Sequence, residues 1–590
     1  LTSGTTSMRV GGGFLVCSML QTLFFRGGLA AKTPLLAFAP SPSLSSRHAL
    51  STFKHNPLPS AQPRPLSPPS SSSRVSLIAA SAKRGFHASG TAGRGKSLGG
   101  KGVAAGVLVG GLGAGAWWIG SQGTSLYTAH SEQAETHTIG HTNILPGGMV
   151  TNEHFFKVPL DHSDPSKGTI TVFARELVSA QHAAAMKNGG HAPPTLLFLQ
   201  GGPGFPAGRP QSPNGGWIQR ALQDYRVVLL DQRGTGRSSP VTHETLAREE
   251  NAQRQADMLS HFRADSIVKD CEKIREEFLG KKQKWTVLGQ SFGGFCVCTY
   301  LSMAPEGLAA ALLTGGLPPI DDGCTADKVY DATYERMAVR TQRFYERYPQ
   351  HIDTVRDIVS YLDKNPTPLP GGGTLTARRF LQLGLALGSG AGFEHMHYLL
   401  ERPWKEGGGG LSYEFLVRVE GESSFETNPL YAIMHESIYC SGAKEGSQWS
   451  AGRRIDPRFD YKKTLADPNG QVMMFGEHTF EWMYEDYASL RGLKDAAHFI
   501  AGKKDWGKLY DAEALKKSTV PSAAAVYYDD VYVEHDLSVK TAALTGSGKG
   551  GSKMKIWVTN EYQHSGLRDD GYRILDRLLG MIRGTHQVPS

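Results

Sequence analysis

The sequence predicts an α/β fold with a mostly parallel central sheet. Three short apolar runs, at residues 195–200, 225–231 and 285–289, are each followed by a loop rich in glycine. These runs are apolar throughout rather than at alternate positions, which is typical of strands buried on both faces of a parallel sheet. Stretches of helical character lie between them, so helices are expected to cover both faces.

The other elements follow from local composition and periodicity. A run rich in β-branched residues predicts a strand at 169–177. Further strands are expected at 308–314, 523–528 and 555–559. Helices are expected at 266–279, 292–303, 329–348, 377–387 and 569–583.

The order of these elements predicts one domain with an insertion. Strands stop near residue 317, helical segments rich in aromatic and charged residues follow, and strands return after residue 517. The pattern predicts an α/β core formed by 141–317 and 518–590, with a helical cap at 318–517.

Residues 1–140 have a different composition and predict a leader. The chain has 590 residues and a formal charge of +8, yet its first acidic residue is Glu132, and 12 of its 63 Lys and Arg residues precede it. A segment rich in Arg and Ser but free of acids is typical of an organelle transit peptide, and its Ser- and Pro-rich stretches favour disorder. We therefore predict a disordered or targeting leader, with a cytoplasmic or mitochondrial location for the protein.

The charge distribution also bears on partners. Beyond residue 131, 51 basic residues face 55 acidic ones, so no basic surface for nucleic acid is expected. Within the leader, residues 103–120 form an uncharged run close to the minimum length of about 17 residues for a membrane span. Contact with a membrane is expected only if this run is an anchor.

The sequence Gly289-Gln290-Ser291-Phe292-Gly293 predicts a nucleophilic serine. In this pattern a strand turns sharply into a helix, and the turn presents the serine hydroxyl at the edge of the sheet. The glycines after the strand at 195–200 let backbone N–H groups approach a substrate carbonyl closely. We predict that the amides of Gly202 and Phe292 form the oxyanion hole.

A general base and its orienting acid are expected further along the chain, the acid first. Asp529 and Asp530 follow the strand at 523–528, and His564 follows the strand at 555–559. Adjacent side chains on an extended segment point to opposite sides, so only one of the two aspartates can meet His564. His564 would accept the Ser291 proton, and the aspartate would fix the imidazole tautomer.

Three motifs together resemble the prolyl aminopeptidase (proline iminopeptidase) family of α/β-hydrolases. They are Gly201-Gly202-Pro203-Gly204, Asp231-Gln232-Arg233-Gly234-Thr235-Gly236-Arg237-Ser238 and Gly289-Gln290-Ser291-Phe292-Gly293-Gly294. Residues 526–530 and 557–564 resemble the larger subtype, and the resemblance covers about 150–583. Gln200 stands where the family often has His, a departure that touches loop packing and subtype more than the triad.

The resemblance implies an α/β-hydrolase fold with a largely helical cap inserted after the sixth strand. It implies release of N-terminal proline from peptides by Ser291, and it favours Asp530 as the triad acid. Cap glutamates bind the substrate amino group in this family, and Glu436 and Glu477 lie in stretches that look like the corresponding segments. The family needs neither a metal nor an organic cofactor, so none is expected, and the expected partners are peptides with an N-terminal proline.

Two other functions are compatible with the fold. An esterase or amidase would use the same triad, because this geometry serves many reactions. A binding protein without catalysis is disfavoured, because Ser291, Asp530 and His564 are all present. The sequence makes no prediction about the oligomeric state.

Overall fold

The computed structural model describes residues 136–320 and 325–587. The leader up to residue 135, including its apolar run at 103–120, lies outside these residues, so the targeting and anchor predictions stay predictions. Within the two described ranges, no helix is both long and apolar enough to cross a membrane.

Eleven strands occur in the part of the chain that the structure describes. They are β1 (His137–Ile144), β2 (Val150–Pro159), β3 (Thr169–Val178), β4 (Thr195–Leu199), β5 (Arg226–Asp231), β6 (Trp285–Gln290), β7 (Leu308–Thr314), β8 (Thr367–Pro368), β9 (Thr374–Leu375), β10 (Ser522–Tyr527) and β11 (Lys555–Thr559).

Nine of these strands form one sheet in the order β1-β2-β3-β5-β4-β6-β7-β10-β11, while β8 and β9 pair as a separate hairpin. Strands β1, β2 and β3 run antiparallel, as do β3 and β5. In the order of this sheet, every neighbouring pair from β5 through β4, β6, β7 and β10 to β11 is parallel. The prediction of a mostly parallel sheet is therefore confirmed.

The helices are α1 (Ala180–Lys187), α2 (Gly216–Asp224), α3 (His243–Leu246), α4 (Ala252–Leu259), α5 (Ala264–Leu279), α6 (Phe292–Met303), α7 (Ala326–Arg347), α8 (His351–Lys364), α9 (Ala377–Leu381), α10 (Gly392–Leu399), α11 (Tyr413–Gly421), α12 (Pro429–Met434), α13 (Ser450–Arg453), α14 (Tyr461–Ala466), α15 (Met483–Asp486), α16 (Lys494–Gly502), α17 (Ala512–Lys517), α18 (His535–Leu544), α19 (Gly566–Asp569) and α20 (Gly571–Arg583). The segment Gln382–Gly388 is a 3-10 helix.

The sheet is buried on both faces because its central strands are apolar at every position. In β4, Leu197 and Leu199 belong to one hydrophobic cluster, together with residues of α5 and α6. Leu196 and Phe198 belong to a second cluster with residues of α2 and α20. Alternate side chains of one strand thus face opposite helix layers.

The helical segment follows the seventh strand, not the sixth. The described residues between β7 and β10 contain α7 to α17 and the β8–β9 hairpin. The expectation of the sixth strand came from the family resemblance, whereas the sequence itself predicted five strands before this segment, and the described residues add β1 and β2 to those five. Strand β1 also begins before residue 140, where we placed the end of the leader, whereas the cap limits at 318 and 517 stay predictions.

Four of the five predicted helices differ from the structure in their ends: α5 begins two residues earlier than predicted, α7 lies at 326–347 instead of 329–348, and two others are divided. The segment 377–387 is α9 followed by the 3-10 helix, and 569–583 begins as the end of α19 before α20. In the first case the 3-10 helix ends at Gly388, which packs closely against another side chain, because a Cβ there would lie 2.1 Å from the Tyr532 ring.

Candidate active site

Ser291 occupies a tight turn between β6 and α6. Its backbone has φ 55° and ψ −128°, a conformation that residues other than glycine rarely adopt. A Cβ on Gly289 would lie 2.4 Å from the carbonyl oxygen of Gly293, and a Cβ on Gly293 would lie 2.0 Å from that of Leu199. A side chain at either of these positions, two residues before and after Ser291, would collide with backbone, which explains the glycines.

The end of β7 holds the turn in place. Ser291 N donates to the carbonyl of Thr314 at 3.0 Å, and Gly294 N donates to the Ser291 carbonyl at 2.7 Å. A Cβ on Gly316 would lie 2.4 Å from that same carbonyl oxygen. A strained residue persists only when its surroundings fix it in this way.

The loop after β4 runs directly against the serine. A Cβ on Gly201 would lie 2.8 Å from Ser291 Cβ and 3.3 Å from its Oγ. The next residue, Gly202, has φ 126°. Phe292 is the first residue of α6, where the amides have no acceptor within the helix. The two residues predicted to form the oxyanion hole thus belong to different elements: Gly202 lies in the loop after β4, and Phe292 begins α6.

The structure brings Asp530 and His564 together. His564 Nδ1 lies 2.8 Å from Asp530 Oδ2, and because a carboxylate only accepts, the imidazole donates from Nδ1. The other oxygen, Oδ1, accepts from the amides of Tyr532 at 2.9 Å and Val533 at 3.0 Å. With Nδ1 engaged, Nε2 is the nitrogen left to act as a base.

Asp529 points elsewhere, as expected for a neighbour on an extended segment. It forms an ion pair of 3.0 Å with Arg343 of α7. Asp530, in contrast, lies near the turn that carries Ser291, which we call the elbow, because a Cβ on Gly315 would be 3.3 Å from Asp530 Oδ2. Gly315 directly follows Thr314, which accepts from the Ser291 amide.

His564 is buried, and the charges around it favour its protonated form. Burial by itself lowers the pKa of His564, but the charge and hydrogen bond of Asp530 and the charge of Glu477 raise it further, so that the pKa lies above its ordinary value of 6.5. This arrangement stabilises the imidazolium that forms when a histidine accepts a proton from serine.

Contacts from the helical segment hold the histidine loop. His564 N donates to the carbonyl of Gly388 at 3.2 Å, and Gly390 N donates to Ser565 Oγ at 2.8 Å. The ring of Tyr532 lies edge-on to the His564 ring at 4.8 Å. Sequence patterns did not predict the roles of Gly388 and Tyr532, since neither belongs to a motif with a known spacing.

Glu477 contacts the side chains of Tyr431 and His435. Its Oε1 accepts a hydrogen bond of 2.6 Å from the Tyr431 hydroxyl, and its Oε2 lies 3.5 Å from His435 Nε2. Burial raises the pKa of Glu477, but His435, His564 and the Tyr431 hydroxyl together lower it below its ordinary value. Glu477 is therefore a largely buried carboxylate that favours its negatively charged form, and its charge raises the pKa of His564.

Glu436 binds two backbone amides. Its two carboxylate oxygens accept from the amides of Ser450 at 3.0 Å and Ala451 at 2.9 Å, at the start of α13. Burial raises the pKa of Glu436 above its ordinary value. The two predicted substrate glutamates thus have different partners, because Glu436 binds two backbone amides and Glu477 binds the Tyr431 hydroxyl.

A second motif shapes the loop beside the serine. Asp231, at the end of β5, accepts from the amide of Ala207 at 3.1 Å and binds the Arg209 guanidinium through both oxygens. Gly204 packs against α12, because a Cβ there would lie 2.8 Å from the Tyr431 amide. The Asp231 motif therefore supports the loop that follows β4 rather than contributing a reacting group.

The strand–serine–helix elbow, the aspartate–histidine pair and the mostly parallel sheet define a serine hydrolase of the α/β-hydrolase fold. A family model described as the alpha/beta hydrolase fold matches residues 194–404. The proline iminopeptidase of Aeromonas sobria is 47% identical over 438 residues, which cover 74% of this chain and 97% of that protein. The proline iminopeptidase aneH of Aspergillus aculeatus is 34% identical over 448 residues, covering 74% and 94%. The chain belongs to the proline iminopeptidase family, as its motifs predicted.

Proposed function

We propose that this protein is a serine aminopeptidase that releases N-terminal proline from peptides through an acyl-enzyme on Ser291. The hydrogen bond between His564 and Asp530, next to the strained elbow of Ser291, carries the proposal. The two relatives described above bear the name proline iminopeptidase, which supports the choice of substrate.

The proposed reaction has two halves. His564 Nε2 accepts the proton of the Ser291 hydroxyl, and the oxygen attacks the carbonyl carbon of the N-terminal proline. The amides of Gly202 and Phe292 stabilise the oxyanion that forms. His564 then donates its proton to the departing amine of the shortened peptide, and water releases proline from Ser291 by the same steps in reverse.

Recognition of the free amino terminus falls to Glu477. A prolyl ammonium group carries a positive charge and two N–H donors, and a buried carboxylate offers both charge and acceptors. The electrostatic effect of Glu477 on His564 supports its place in this role. Glu436 remains a weaker candidate, because two backbone amides already occupy its oxygens.

Hydrolysis of a substrate panel by the purified full chain tests the proposal. Proline arylamide should be cleaved faster than arylamides of other residues and faster than short acyl esters. Preference for the esters would instead indicate the esterase alternative. The Ser291→Ala variant should lose about 10⁶-fold in kcat on every substrate while it keeps its fold, and retained turnover in this variant would mean that another residue is the nucleophile.

A second pair of measurements tests the role of Glu477. Glu477→Gln keeps the shape of the side chain and removes its charge. We expect kcat/KM for proline arylamide to fall at least about tenfold, while hydrolysis of a neutral ester falls far less because the ester has no amine. Glu436→Gln is the matched variant, and an equal loss from both would restore the sequence-based assignment of two substrate glutamates.

A further inference from the structure

The carboxylate of Glu477 lies against the side chains of Tyr431, in α12, and His435, which directly follows α12. Tyr431 donates to Oε1 at 2.6 Å, and His435 Nε2 faces Oε2 at 3.5 Å. The two residues are four apart in sequence, and such residues lie on the same face of a helix. Tyr431 thus presents a hydroxyl to one carboxylate oxygen of Glu477, and His435 presents an imidazole to the other.

His435 has an unusual set of neighbours for a histidine that is only 1% exposed. Its Nδ1 lies 3.2 Å from the Tyr330 hydroxyl. Its Nε2 has no hydrogen-bond partner among the residues described, and Glu477 is the acid that faces it. A buried polar atom without a hydrogen bond normally needs a reason, and here the nearby carboxylate provides one.

Burial works against a charged Glu477. A carboxylate removed from water favours its neutral form unless positive charge or hydrogen bonds compensate. The Tyr431 hydroxyl supplies one hydrogen bond, and the imidazole of His435 is positioned to supply positive charge. A neutral Glu477 would lose most of its attraction for a substrate ammonium group.

We propose that His435 is a positioning residue for amine recognition, which fixes the orientation of the Glu477 carboxylate and keeps it ionised in the closed site. The inference rests on the proposed function, because it gives Glu477 the substrate amine as its partner. His435 acts through Glu477 and does not itself touch the reacting atoms.

The pH dependence of activity follows from this arrangement. Without His435, Glu477 would take up a proton more readily, so binding of the prolyl amine would weaken as the pH falls. The titratable groups around the ring are Glu477 and His478 from the loop before α15, Tyr330 from α7, Tyr431 from α12, and Glu436 and Tyr439 from the segment after α12.

The test compares His435→Gln with the wild type on proline arylamide and on a neutral short acyl ester. We expect the variant-to-wild-type ratio of kcat/KM for the arylamide to fall at least about tenfold near pH 6 and to recover to within about threefold near pH 8. The ratio for the ester should stay within about twofold at both pH values. Because the substrate amine titrates in the same way with both enzymes, its effect cancels in the variant-to-wild-type ratio.

Two matched variants separate this role from general damage. His351→Gln removes another buried histidine, whose Nε2 lies 2.8 Å from His397 Nδ1, and should leave both ratios unchanged. In the Glu477→Gln background, His435→Gln should add less than about a twofold loss, because the partner through which it acts is gone. If His435→Gln does not accumulate as folded protein, His435→Asn takes its place in the same measurements.

The outcomes distinguish the inference from the proposed function. A loss that is equal at both pH values, or equal on both substrates, would overturn the positioning role of His435, as would no loss at all. If Glu477→Gln discriminates arylamide from ester while His435→Gln does not, the proposed function stands and the inference fails. If the wild type does not cleave proline arylamide, the proposed function itself fails.

Discussion

Asp529 and Asp530 are identical in chemistry and adjacent in sequence, yet their surroundings differ. Asp530 is almost fully buried and uses both oxygens, one on His564 and one on two backbone amides. Asp529 pairs with Arg343 near the surface. The alternation of side chains predicts that only one can meet His564, but which one depends on how β10 ends, which local sequence does not define.

We therefore predict opposite outcomes for the same substitution at the two positions. Asp530→Asn should lower kcat by about 10⁴-fold, because the amide no longer fixes the tautomer of His564 or stabilises the imidazolium. Asp529→Asn removes only a partly exposed ion pair and should change kcat less than about threefold. Steady-state kinetics of the two variants decide the matter, and a large loss at 529 with a mild one at 530 would reverse the assignment.

The protonation of His564 makes a separate prediction about pH. A base must be neutral to accept the Ser291 proton, so activity is lost as the pH falls through the pKa of His564. Burial lowers this pKa, but Asp530 and Glu477 raise it above 6.5 overall. The acid limb of kcat/KM for a neutral ester should have its midpoint above pH 6.5, and a midpoint clearly below this value would show that the charges of Asp530 and Glu477 do not act on His564 as the structure indicates.

At the scale of secondary structure, the elbow depends on positions that carry no side chain. Gly289 and Gly293 face backbone oxygens at distances that no Cβ can share. The strain at Ser291, of order 1–3 kcal/mol for such a conformation, is therefore maintained by the packing of β6 and α6 against β4 and β7.

Gly293→Ala tests this packing. The new Cβ would meet the Leu199 carbonyl, and either β4 or α6 must shift. We expect a loss of about 1–3 kcal/mol in the free energy of unfolding, as in overpacked cores, and a fall in kcat because the loop with Gly202 moves from Ser291. Urea denaturation and kinetics measure the two effects.

Gly421→Ala is the matched control for that variant. Gly421 is the exposed last residue of α11, and a Cβ there would meet nothing within 4 Å. Its effect should stay within about 1 kcal/mol in either direction. A similar loss from both substitutions would mean that the elbow has no special need for glycine.

The elements differ in how well sequence predicts them. The segments 308–314 and 555–559 coincide with β7 and β11, and 292–303 coincides with α6, because each is a short apolar run between clear breaks. Strand β1 was missed because it lies at the sheet edge, almost entirely exposed, and has no apolar pattern. Its pairing with β2 comes from the fold and not from its own composition.

At the scale of the whole molecule, the site combines parts that lie far apart in the chain. Motifs and chain order predict Ser291, Asp530 and His564 as the triad, and the structure pairs the last two of them. Sequence patterns do not predict the partners of Glu477, because Tyr431 and His435 meet it only through the packing of α12 against the loop that carries Glu477. Contacts of this kind have no sequence spacing to detect, which is also why sequence alone does not distinguish Glu436, bound to backbone amides, from Glu477, bound to Tyr431.

The N-terminal segment leads to a last prediction, which the position of β1 sharpens. The composition of the leader predicts that it is dispensable, but β1 is the edge strand of the sheet, and His137 stacks on Phe156 of β2 at 4.3 Å.

A chain that begins at residue 132 should keep kcat/KM within about twofold of the full chain. A chain that begins at residue 145 lacks β1 and should lose roughly 1–3 kcal/mol of unfolding free energy from its cross-strand pairs. Its kcat should change little, because β1 lies at the far end of the sheet from β6. Urea denaturation and kinetics of the two shortened chains provide the test: loss of folding in the longer one would show that the leader packs on the body, and equal stability of the two would show that β1 adds nothing to the sheet.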